Sequence, residues 1–126
     1  MLVFSEYKTD TIDLSLDFYG YEDCPKNYEF GPSVRDNFVL HFITKGKGVF
    51  HINKNEIHLE AGDLFLLPKN MVTYYRADAE DPWSYYWIGI SGTKVSDFMR
   101  FSTLHAKGFL KKTEVDTERI GLFMEQ

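Results

Sequence analysis

Residues 62–92, GDLFLLPKNMVTYYRADAEDPWSYYWIGISG, constrain the fold more than any other part of the chain. Leu64 to Leu67 is a short, wholly apolar run opened by Gly62 and Asp63. It is closed by Pro68, Lys69 and Asn70, because proline cannot donate to a ladder and asparagine tolerates a left-handed backbone. Runs at 72–76 and 83–91 follow, separated by a charged loop at 77–82. All three have strand length and none has helical length. Both tryptophans, Trp83 and Trp87, fall in the last run. The segment therefore predicts half of a small antiparallel barrel with large side chains to place.

The remainder continues the pattern. Ile12, Leu14, Leu16 and Phe18 alternate with Asp13, Ser15, Asp17 and Tyr19, the period of a strand with one wet face. Residues 20–32 are rich in turn formers and predict an irregular connection in which Tyr28 and Phe30 could anchor a short strand. A strand at 38–44 runs into Lys45, Gly46, Lys47 and Gly48. Strands at 49–53 and 56–59 then flank a polar loop of hairpin length, Asn53, Lys54 and Asn55. Beyond Gly92 the period changes: Val95, Phe98, Met99 and Ser102 predict a helix over 93–101. A second helical signal starts at Asp116 or Thr117, with Ile120, Phe123 and Met124 on one face. It runs to Gln126 with no cap or glycine stop, which reads as a chain cut short, a naturally short stand-alone barrel being the alternative. The predicted division is an N-terminal arm at 1–10, a barrel at 11–92 and a helical extension at 93–126.

A chain of 126 residues is one domain and buries roughly two thirds of its unfolded surface. Lys and Arg number 14 against 19 Asp and Glu, so a formal charge of −5 argues against a phosphate-gripping surface over most of the molecule. The single cysteine, Cys24, excludes an internal disulfide, and no apolar run approaches a membrane span of roughly 18 residues. A cytoplasmic protein without membrane contact is expected.

Gly62, Pro68 and Asn70 match the spacing of the second half-signature of cupin barrels, which sets a corner between strands. The fold expected is therefore all-β, a cupin-like jelly-roll barrel of short antiparallel strands followed by C-terminal helices. In metal-bearing cupins the third residue after that turn is a histidine, and here it is Thr73. The first half-signature, ahead of Gly46, falls near Ser33, Arg35 and Val39, none a good transition-metal ligand. His51 and His58 lie on the two arms of one hairpin, and His105 follows the first helix. His41 alone sits on a central strand, sharing a face with Val39 and Ile43. No metal and no cofactor is expected.

Four segments together resemble the N-terminal effector-binding and dimerisation domain of AraC/XylS-type bacterial transcription regulators: GYEDC at 20–24, FGPSVRDNFVLHFITKGKGVF at 30–50, HLEAGDLFLLPKN at 58–70 and DPWSYYWIGISG at 81–92. The last is the most specific, its order of aromatics being common in sugar-responsive members. The resemblance covers nearly the whole chain. It implies a barrel that holds a small effector, commonly a sugar, followed by helices that pair two subunits into a homodimer. The family's helix-turn-helix motifs would lie beyond Gln126, so DNA contact would belong to that part and not to this segment.

A sugar offers an apolar C–H face and a rim of hydroxyls, so its site pairs a flat aromatic with fixed hydrogen-bonding groups. On the strand at 83–91 one face carries Trp83, Tyr85, Trp87 and Gly89, with Gly89 leaving open volume beside Trp87. The other carries Tyr86, Ile88 and Ile90, suited to the helices. By resemblance, Tyr75, Tyr85 and Trp87 match effector-contacting positions of the arabinose-responsive founding member, which has a histidine where Tyr85 stands. Arg35, His41 and Glu22 are the polar candidates. Trp83, beside Pro82, reads as core. Each of the other aromatics has core packing as its alternative.

The function expected is a ligand-sensing, dimerising regulatory domain whose effector is a mono- or oligosaccharide. The alternative is a small metal-free cupin enzyme of sugar isomerase or epimerase type, using His41 with Tyr75 or Tyr85 for proton transfer. A third reading, a purely structural dimerisation module, requires a barrel filled by its own side chains.

Overall fold

The computed structural model describes residues 2–6, 15–33 and 37–114. Among these, ten strands and two helices follow in order: β1 (Leu2–Glu6), β2 (Ser15–Asp23), β3 (Glu29–Ser33), β4 (Phe38–Lys45), β5 (Lys47–Ile52), β6 (Asn55–Glu60), β7 (Leu64–Leu67), β8 (Thr73–Ala77), β9 (Ser84–Ser91), α1 (Thr93–Arg100), α2 (Thr103–Lys107) and β10 (Phe109–Leu110). They form two antiparallel sheets. The larger has the order β1-β2-β9-β4-β7-β10 and the smaller β3-β8-β5-β6.

The turns obey their residue chemistry. The β5–β6 hairpin closes over Asn53 and Lys54, both with positive φ, the geometry of a two-residue primed turn. Asn70 has φ 62° after Pro68. Gly46 turns β4 into β5 at φ 75°, and a Cβ there would lie 2.3 Å from the Pro82 carbonyl oxygen, so no other residue fits. The buried Asp63 fixes the β6–β7 corner: its carboxylate accepts from the Glu60 N–H at 2.8 Å, the Lys112 N–H at 2.7 Å and the Lys111 ammonium at 3.2 Å.

Alternation along β4, β7 and β9 builds two cores on opposite faces of the large sheet. Val39, Ile43, Phe65, Leu67 and Tyr85 face the small sheet, joined by Phe50, Ile52, Leu59 and Tyr75. Phe38, Leu40, Leu64, Leu66 and Ile90 face the helices, joined by Val95, Met99 and Leu104. This explains the apolar run of β7, which is covered on both faces.

Three expectations are corrected by tertiary pairing. The turn-rich residues 20–23 continue β2, because β9 offers a ladder out to Asp23↔Ser84. A bulge at Asp17 shifts the register between Leu16 and Phe18, so Leu16 packs toward the helices and Phe18 toward the barrel rather than sharing a face. The volume expected at Gly89 is filled by the Phe18 ring, which would stand 2.3 Å from a Cβ there. Residues 2–6 of the predicted arm pair along β2 as an edge strand. Helix α2, capped by Ser102 accepting from the His105 N–H at 3.0 Å, and the short β10 were not foreseen. The predicted helix near Thr117, with Ile120, Phe123 and Met124, lies outside the described residues. No helix of the described residues is long and apolar enough to cross a membrane.

Candidate functional site in the barrel

The inward positions of four strands from both sheets meet at one end of the barrel. His41 comes from β4, Phe65 from β7, Tyr75 from β8, and Tyr85 and Trp87 from β9. The His41 ring lies flat on Phe65, centroids 4.4 Å apart at 8°. It meets Tyr75 at 5.2 Å and Tyr85 edge-on at 4.8 Å. Tyr85 is 5.9 Å from Trp87, again edge to face. On the small sheet Phe30 stacks on Tyr75 at 5.6 Å. Edge-to-face and offset geometry suits the aromatic quadrupoles and holds each ring in a fixed direction.

The even-numbered residues of β2 beyond its bulge add the polar part. Glu22 pairs with Tyr85 in the ladder, and the Cys24 N–H donates to the Trp83 carbonyl at 3.1 Å, extending the pairing one residue further. The Tyr85 hydroxyl interacts with Glu22, Cys24 and Tyr75, which shape its titration and theirs.

Electrostatics follow from burial. Desolvation raises the Glu22 carboxyl above its ordinary 4.5, partly offset by the Tyr85 hydrogen bond. Burial pushes the Cys24 thiol up to about 11, with Glu22 and Asp23 adding to the rise. Burial, then Tyr75 and Cys24, drive Tyr85 upward as well. Tyr28 is raised by desolvation and by the nearby Glu22 charge. Burial thus favours the neutral form of every one of these groups, the hydroxyls, the thiol and the half-buried Glu22 carboxyl alike.

Five of the six predicted site residues, Trp87, Tyr85, Tyr75, His41 and Glu22, converge here; Arg35 lies outside the described residues. Trp87 is half-buried, whereas Tyr85, Tyr75 and His41 are 2%, 4% and 3% exposed. His41 points inward. Trp83 is fully buried against Phe65 at 5.3 Å, a core residue as expected. Thr73, where a metal-bearing cupin has histidine, is buried and paired with Ser33. His51 and His58 do not face each other directly; each approaches Glu56, at 3.6 and 3.4 Å. Ile88 and Ile90 turn to the helices, but Tyr86 is exposed beside Tyr21 at 4.7 Å. The sequence reading passed over Cys24 and did not assign Tyr28 and Phe30 to the site. The signal for Cys24 was available in the alternation of Phe18, Gly20, Glu22 and Cys24, masked by the turn-forming residues between them.

Solved structures with this architecture include a cupin domain from Schizosaccharomyces pombe, at TM-score 0.56 and 13% identity over 79% of this chain and 70% of that one. A cupin superfamily protein from Desulfitobacterium hafniense follows at TM-score 0.51 and 10% identity, over 71% and 76%. These establish the cupin fold alone. In sequence, the chain is 49% identical over 102 residues to the Msm operon regulatory protein of Streptococcus mutans, covering 81% of this chain and 37% of that protein. It is 39% identical over 115 residues to the raffinose operon transcriptional regulatory protein of Pediococcus pentosaceus, covering 86% and 42%. It is 30% identical over 120 residues to the lactose operon transcription activator of Staphylococcus xylosus, covering 94% and 43%. The chain thus spans about two fifths of the length of these relatives. All three are named as regulators, which favours the binding-module reading over the isomerase or epimerase alternative. The family model for the AraC-like ligand binding domain matches residues 15–126, and the chain belongs to that family.

Proposed function

We propose that this chain is the effector-sensing part of a cytoplasmic regulator of sugar utilisation, binding a neutral mono- or oligosaccharide at the His41, Tyr75, Tyr85, Trp87 end of the barrel. The observation that carries the reading is the convergence of those side chains with Glu22. A half-buried indole stands beside buried hydroxyls and a half-buried carboxyl, the pairing that a C–H face with vicinal hydroxyls satisfies. The names of the raffinose and lactose regulators support a sugar.

In this reading Trp87 supplies the stacking face, Tyr75 and Tyr85 donate to or accept from sugar hydroxyls, and Glu22 accepts two of them. Arg35 is a further donor, its guanidinium fork suited to vicinal hydroxyls. The domain acts as a homodimer, and DNA is bound by a part of the protein outside this chain. Effector binding shifts the dimer between two arrangements by no more than its differential affinity for them.

The test is calorimetric titration and thermal melting with raffinose, melibiose, lactose, sucrose and arabinose. One sugar is expected to give heat and a raised melting temperature, worth about 2.7 kcal/mol at a hundred times its Kd. Absence of heat and of any shift with the whole panel overturns the sugar assignment. Sedimentation that shows only monomer at high concentration overturns the dimer.

A further inference from the structure

Trp83 directly precedes β9 and extends its inward row of Trp87 and Tyr85 into the depth of the barrel. Exposure falls along that row, from half-buried Trp87 to 2% at Tyr85 and 0% at Trp83. The indole is held in one direction. Phe65 stacks on it at 5.3 Å and 24°, and the Cys24 N–H donates to the Trp83 carbonyl at 3.1 Å. Gly48 of β5 makes room for the benzo edge: a Cβ there would stand 2.6 Å from Cε3 and Cζ3. Nε1 lies on the opposite edge of an indole from those carbons, so the N–H is turned away from β5.

That N–H is buried, and among the described residues it has no acceptor. Buried tryptophans normally place this group against a partner, because it can only donate and an unpaired donor gives up its hydration for nothing. Filling the core calls for no donor, as the fully buried Phe65 beside it illustrates. The rings that flank the indole on its other sides are Tyr85 at 6.2 Å and Tyr75 at 6.3 Å, inclined to it at 61° and 53°, and both carry hydroxyls.

We infer that the Trp83 N–H is the donor of a buried binding site for one hydroxyl oxygen, supplied by an internal water or by the innermost hydroxyl of the effector. Such an oxygen accepts from Nε1 and keeps a proton to donate, for which the Tyr75 and Tyr85 hydroxyl oxygens are acceptors. A buried water makes about three hydrogen bonds to groups otherwise unpaired, a number that one indole and two phenols supply. The chemistry of the occupant is bounded as well: a C–H or an ammonium group in its place would leave the indole donor unpaired. The effector as source rests on the sugar reading above, whereas the water does not.

Indole N–H resonances of the isotope-labelled chain provide the experiment. The two tryptophans give two such signals, and Trp87→Phe leaves the one that belongs to Trp83. Without sugar, that signal is expected downfield of free indole, with a cross-relaxation peak to a long-lived water. In the parent saturated with raffinose or melibiose, a retained water peak assigns the oxygen to internal water. Loss of the peak with the signal still downfield, or a downfield move that occurs with sugar alone, assigns it to the effector. A signal upfield of free indole in both states means that the N–H points at a ring face, and overturns the proposal. So does a downfield signal that has no water contact and that sugar leaves unchanged, since its acceptor is then a protein atom. Where no sugar of the panel gives heat, the ligand-free spectrum decides alone, so failure of the sugar reading and failure of this site are told apart.

Discussion

The two faces of the large sheet are made by alternate residues of the same strands, and they are filled in opposite styles. The helix-side layer of Leu40, Leu64, Leu66, Ile90, Val95, Met99 and Leu104 is almost wholly excluded from water, and the titratable ring it meets, His105 of α2 against Phe38, is only half-buried. The barrel side places His41, Tyr75, Tyr85, Cys24 and Glu22 among its aromatics. A layer selected only for stability has no use for such groups, since each must be hydrogen-bonded or costs free energy when buried. The difference separates what holds the molecule together from what equips it to bind.

Substitutions that touch one face and spare the other test that separation. The largest effect is expected from Leu66→Ala, which empties a fully buried site between sheet and helices and should cost about 3 kcal/mol in urea unfolding. Effector affinity per folded molecule should stay unchanged; a parallel loss of affinity would show that the faces are coupled. Gly89→Ala drives a methyl into the Phe18 ring and should cost about 1–3 kcal/mol. It should also alter binding, because Phe18 packs beside the site.

Smaller in stability but larger in function is Tyr85→Phe. Loss of one buried hydroxyl should cost about 1 kcal/mol in unfolding, while sugar affinity should fall about tenfold, about 1.4 kcal/mol. An unchanged Kd would remove Tyr85 from the site.

The smallest effect on stability, and the most diagnostic, belongs to Glu22. Its folded pKa is raised, so between the ordinary 4.5 and the folded value the native state holds a proton that the unfolded chain has released. Stability therefore declines as pH rises through that window, and the full penalty stands above it. Glu22→Gln should be as stable as the parent below pH 4.5 and slightly more stable at pH 7, yet bind the sugar less tightly. A variant destabilised at pH 7 would mean that the carboxylate is structural.

Much of the frame was legible locally. The turns at Asn53, Lys54 and Asn70, the corner at Gly62 to Pro68 and helix α1 followed from backbone preferences and period, and their boundaries shifted by at most a residue or two. Helix α2, at five residues, is too short for periodicity to register, and β10 exists because β7 has an open edge to pair. Tyr75, Tyr85 and Trp87 were picked out through the aromatic pattern and a family resemblance. Cys24 escaped because turn-forming neighbours hid the alternation of β2.

The sequence by itself determined that this chain is a β-barrel with an aromatic strand and without the histidines of a metal-bearing cupin, since period, turn chemistry and residue type are properties of short stretches. Only the tertiary structure decided which side of each strand faces inward. The bulge at Asp17 sends Phe18 into the space that Gly89 leaves and turns Glu22 toward Tyr85, a one-residue shift that depends on the partner strand and has no local signature.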